Sequence, residues 1–153
     1  MAVEQHSRRE RVAAALFELV RAEVGGVVGL VTSSRVLKSF AALTSEQMPA
    51  LFQAQRPESN ERGAIGLPSK RTMRFEFFLY TMDPQVDGFV PATQLNDMVE
   101  GVETAIAGVG PSNVLTLGGM VVSARIDGPV EYFENATNDG KSIAIVPVAV
   151  LMP

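Results

Sequence analysis

The chain has 153 residues, 46% of them hydrophobic and 20% charged, and a net charge of −4. That balance supplies one core, excludes a disordered chain and leaves little length for a second full domain. Cysteine is absent and His6 is the one histidine, which removes thiolate nucleophiles, disulfides, cysteine-based metal sites and histidine-dependent triads together.

We therefore expect a single domain over 1–153 with a loose start at 1–6. Ser7-Arg8-Arg9-Glu10 fits a capping box, with Ser7 accepting from the Glu10 amide and Glu10 reaching back. Val12, Leu16 and Leu19 then recur at helical spacing beside a second row of Ala13, Phe17, Val20 and Val24. Two adjacent rows make a broad apolar face, which suits a helix packed on a sheet. Gly25-Gly26 reads as its stop. The apolar run at 24–31, broken by Gly25, Gly26 and Gly29, is far shorter than the roughly 18 residues of a membrane span. Arg8, Arg9 and Arg11 followed by Glu18 and Glu23 do not form a signal peptide.

Arg35–Leu43 reads as a strand, and Ala50–Gln55 as another after a turn at Pro49. The polar stretch 56–68, with two prolines and two glycines, reads as a long exposed loop. Lys70–Met82 is the clearest strand, since Met73, Phe75, Phe77 and Leu79 alternate with mostly polar neighbours. After a loop at 83–91, Leu95, Met98, Val99, Val102 and Ile106 predict a helix over 93–107, opposite Asp97, Glu100 and Glu103. Leu115–Ile126, Val130–Phe133 and Ser142–Met152 read as three further strands, turned by Asp127-Gly128 and Asn138-Asp139-Gly140. Pro147 argues for an edge position or a bulge in the last. The expected fold class is α+β, a mainly antiparallel mixed sheet with two helices packed on one face.

Chemical motifs are sparse. Gly25–Gly29 lacks the strand-before, helix-after context of a phosphate-binding turn. Asp83, Asp87 and Gly88 lack the alternating ligands of a calcium loop, and Asn135-Ala136-Thr137 is a chance match to a glycosylation acceptor. Asp97, Glu100 and Glu103 read as a solvated helix face, without the burial that acid–base catalysis needs. No catalytic residue, metal or cofactor is expected.

Charge is uneven. Residues 1–75 carry eleven Lys/Arg against seven Asp/Glu, and residues 76–153 carry two against ten. Such a split suits head-to-tail contact between copies. Arg35, Lys38, Arg56, Arg62, Lys70 and Arg74 are accordingly the candidate contact residues.

An ordered set of segments carries a resemblance. Ser7-Arg8-Arg9-Glu10, Arg35–Leu43, Pro49-Ala50-Leu51-Phe52, Gly66-Leu67-Pro68-Ser69-Lys70 and Arg74–Tyr80 come first. Leu95-Asn96, Thr116-Leu117-Gly118-Gly119-Met120-Val121, Ile126-Asp127-Gly128 and Ile143-Ala144-Ile145-Val146-Pro147-Val148 follow. Over roughly residues 8–153 the chain resembles the tail terminator (tail completion) proteins of tailed bacteriophages, most of all those of contractile-tailed phages or related prophages. The resemblance implies a non-enzymatic virion protein of the tail or neck, assembled in the bacterial host cytoplasm. It implies a homo-hexameric ring on the head-proximal end of the tail tube, which ends tube polymerisation and presents the head-joining surface. The implied partners are the chain itself, the tail tube protein, the head connector and neck proteins, and the tail sheath where the tail contracts. DNA passes through such a lumen without sequence-specific binding, and no membrane is involved. Two alternatives stand beside it: another neck or head–tail joining protein, and a small ligand-binding or carboxylate-based hydrolase domain.

Overall fold

In the computed structural model, which describes residues 6–82, 88, 90–107, 114–134 and 140–153, helix α1 spans Arg8–Val28. Ser7 caps it, its Oγ accepting the Glu10 amide at 3.2 Å, which satisfies one of the donors that a helix start leaves unpaired. The Glu10 carboxylate does not complete the expected box but is held by Arg35 at 2.6 Å. Val12, Ala13, Leu16, Phe17, Val20 and Val24 form its buried stripe. The helix runs through Gly25 and Gly26 and stops at Gly29, whose φ of 66° is left-handed and whose N–H returns to the Gly25 carbonyl at 3.2 Å. Glycine weakens a helix wherever it falls, but the chain leaves the helix only where a residue takes the left-handed cap.

Strand β1 (Thr32–Ser34) runs parallel to β2 (Ala50–Glu61). The strand expected over 35–43 does not form. Val36 and Leu37 are exposed, Phe40–Ala42 makes a 3₁₀ turn, and Leu43 is buried. This segment folds across the sheet, so Leu43, and Phe40 in part, bury by packing rather than by strand pairing. The stretch 56–68 is exposed as expected for much of its length, yet its first part is strand, because β2 continues to Glu61. Pro57 is tolerated there since the register shifts between Arg56 and Ser59, and β1 covers only residues 50–52 of that edge.

Strand β3 (Lys70–Met82) has the bounds its alternation predicts and pairs antiparallel with β2. Helix α2 spans Pro91–Ile106, starting ahead of the expected Thr93 because Pro91 occupies its first turn, where a missing N–H costs nothing. The strand expected over 115–126 shrinks to β4 (Ser123–Ile126). Leu117, Gly118 and Gly119 all take positive φ, and the chain doubles back so that the Ala124 N–H donates to the Leu115 carbonyl at 3.0 Å. Strands β5 (Glu131–Phe133) and β6 (Lys141–Leu151) complete one six-stranded sheet, ordered β1-β2-β3-β6-β4, with β5 also on β6.

Pro147 is not at an edge. Strand β6 is central, paired with β3 on one side and with β4 and then β5 on the other. Its carbonyl accepts from the Asp127 N–H at 3.1 Å, so its donorless nitrogen faces the gap where β4 gives way to β5. A proline fits mid-sheet when its missing donor falls at a change of partner.

The architecture is α+β, with every pair antiparallel except β1 with β2. Both helices pack on one face, where Leu51, Met73, Phe75, Phe77, Leu79, Val146, Val148 and Val150 meet the α1 and α2 stripes. A smaller cluster of Leu43, Met48, Phe52 and Tyr80 covers one end of the opposite face. The expected loose start, most of the 83–91 loop, the residues past α2 at 108–113, and Asn135 to Asp139 lie outside the described residues.

Candidate interaction surface

Side chains alternate across a sheet, so β2, β3 and β6 send one set toward the helices and the other to the opposite face. The segment 40–48 covers only the Tyr80 end of that face. At the uncovered end, Arg56 lies opposite Arg74, Arg74 opposite Ala149, and Ala149 opposite Arg125. Three arginines thus share one row across four strands, with Ala149 as a low floor between Arg74 and Arg125. Strands stand about 4.8 Å apart, so Arg74 and Arg125 leave the sheet about 10 Å from one another.

The neighbouring row has the opposite sign. Glu76 meets Arg56 at 3.3 Å, and Asp127 meets Arg74 at 2.9 Å and Arg125 at 3.7 Å. Arg125 is the freest of the three, with 69% of its side chain exposed. On the other flank lie the hydroxyls of Ser59, Thr72 and Ser123, and together with Arg74 and Arg125 they border an open cavity of about 160 Å³. Lys70 stands across from Glu61 at its far end.

Of the residues singled out by charge, the fold brings Arg56, Lys70 and Arg74 together here. Arg62 lies just beyond β2, beside the turn that exposes Ile65 and Leu67 at the tip of the β2–β3 hairpin. Arg35 instead ties the chain after β1 to α1 through Glu10, and Lys38 contributes its carbonyl to the Tyr80 hydroxyl at 3.1 Å. Arg125 escaped the sequence reading because it stands in the acidic half, 51 positions from Arg74 in the chain. Its one visible signal is that it and Lys141 are the only cations after residue 75.

Along α2, on the helix side, the charge is negative. Asp97, Glu100 and Glu103 are exposed along α2, as their spacing predicts. The β5 edge adds the exposed Tyr132 and Phe133, and the Tyr132 phenol is pushed up by burial and then by Glu103 and Glu100. Elsewhere, hydrogen bonding to Arg35 holds the Glu10 carboxyl below the usual range, and Arg9, 2.6 Å away, does the same to Glu58. Among the described residues no three acidic or histidine side chains gather as a metal site, and no helix is long and apolar enough to cross a membrane.

No protein-family model matches the sequence, and no curated protein matches it. Solved structures share the fold. One is a chain of the virion of a native gene transfer agent (GTA) particle, with a TM-score of 0.56 at 14% identity, covering 97% of this chain and 100% of that one. Another solved structure has a TM-score of 0.57 at 15% identity, covering 95% of each chain. The chain is therefore similar in fold, end to end, to a virion component.

Proposed function

We propose that this protein is a structural component of a phage-like particle, and within it the terminator of the tail tube. It forms a ring, hexameric by family resemblance, on the head-proximal end of the tube, stops further addition and offers its outer side to the neck and head connector. DNA passes through the ring, and the protein acts by surface and shape without making or breaking a bond. The observation that carries this is agreement in fold, over 97% of this chain, with a chain of a gene transfer agent virion, and it is supported by the ordered segments that resemble those of tail terminators.

The physical requirement is asymmetric. A stack of identical rings presents an end that templates the next ring, so a terminator must match that end on one face and refuse it on the other. The test is electron microscopy of tails assembled with and without the protein. Overlong tubes in its absence are the expected result. Tubes of normal length that lack heads would make it a joining protein, and normal attached tails would remove it from the neck.

A further inference from the structure

We propose that the arginine row of Arg56, Arg74 and Arg125 on the open sheet face is one half of an interface between copies of this chain, and that the α2 carboxylates Asp97, Glu100 and Glu103 of a neighbouring copy are the other half. The inference rests on the ring reading above and specifies which surfaces meet.

Three observations carry it. First, the charges are complementary and lie on opposite sides of one sheet, with α2 packed on the helix face and the row on the other. Patches so placed cannot pair twice with the same partner, so contact is head-to-tail and propagates until it closes. Second, the lengths agree. Asp97 to Glu103 spans about 9 Å along a helix at 1.5 Å per residue, against the roughly 10 Å between Arg74 and Arg125 across two strand spacings.

Third, the pattern fits a narrow acidic ridge better than a nucleic acid. Glu76 and Asp127 form a parallel row of carboxylates beside the arginines, and a duplex broad enough to cover the cations would bring its phosphates against these anions. A single helix edge fits along the arginine row and the cavity beside it. There Ala149 leaves room between the two guanidinium groups, the Ser59, Thr72 and Ser123 hydroxyls offer further hydrogen bonds to an entering carboxylate, and Lys70 stands opposite Glu61, an acidic residue of the same lining.

Two double variants test this: Arg74→Glu with Arg125→Glu, and Glu100→Arg with Glu103→Arg. Like charges then oppose each variant's own copies, while between the two variants each reversed pair of side chains meets a pair of opposite sign, only Arg56 and Asp97 staying as they were. In sedimentation velocity at low salt, after circular dichroism has verified folding, each variant alone is expected to stay monomeric. Their equimolar mixture is expected to associate at least tenfold more tightly than either alone. Arg125→Glu by itself, at the most exposed position of the row, guards against folding loss and is expected to weaken self-association in the same direction. A mixture that sediments as separate monomers overturns the interface. Tube length in assembled tails reads the terminator function independently, so a protein that ends tubes with both faces reversed would retire this interface alone.

Discussion

At Gly101 the two helices come so close that a Cβ would lie 3.2 Å from both the Cα and Cγ2 of Val24. In an exposed helix, glycine-to-alanine gains about 1 kcal/mol. Here the added methyl meets backbone, which cannot rotate away, so Gly101→Ala is expected to cost about 1–3 kcal/mol. Urea unfolding checks the sign, and a stabilised variant would show that the helices separate easily. Gln53 marks a different contact, between the sheet and α1. It is buried on the helix face, and its Nε2 donates to the Ala13 carbonyl of α1 at 3.0 Å. Its Oε1 has no hydrogen-bond partner among the described residues, an arrangement held by the surrounding packing rather than by the amide alone.

At the scale of elements, α1 is fastened twice at its start, by Arg9 to Glu58 of β2 and by Glu10 to Arg35 after β1. Both carboxyls are held below their usual range, each mainly by its hydrogen-bonded arginine. A lowered folded-state pKa means that the folded form resists protonation more than the unfolded one. The contribution is therefore complete above the ordinary carboxylate range near pH 4.3 and is lost as pH falls through and below it. Thermal unfolding between pH 7 and pH 3 is expected to fall less steeply in Glu10→Gln and Glu58→Gln than in the unaltered chain. Because both pairs are exposed, the change is small. An acid limb unaltered in both variants would count against the pairs. The β2–β3 hairpin shows another element-level feature, since its paired strands continue past the cover of α1 and end in a tip with Ile65 and Leu67 in solvent.

For the whole molecule, the division of charge along the sequence becomes a division between layers. Of the first-half cations, Arg56, Lys70 and Arg74 converge with Arg125 on the open end of the sheet face, while the α2 carboxylates lie on the helix side. Assembly through such surfaces is expected to weaken as salt rises, because the screening length shrinks from about 10 Å at 0.1 M to about 3 Å at 1 M. Sedimentation across that range measures it, and salt-independent association would point to apolar contact through the exposed Ile65, Leu67, Tyr132 and Phe133 instead. Those side chains contribute little to the fold, so replacing Ile65 and Leu67 with serine is expected to leave unfolding free energy within about 0.5 kcal/mol.

The sequence by itself determined what depends on local period and on residue type. The α1 and α2 stripes, the bounds of β3, the α+β class and the acidic face of α2 follow from spacing alone, because burial imposes a period of 3.6 on helices and 2 on strands. The absence of cysteine and the single histidine likewise followed from composition. Tertiary structure decided whatever depends on which distant segments become neighbours. It folded 35–43 over the sheet instead of into it, placed Pro147 at the change from β4 to β5, and turned Glu10 toward Arg35. It also set Arg125 in line with Arg74. A register across β4, β6 and β3 joins residues a third of the chain apart, and no pattern within either segment records that pairing.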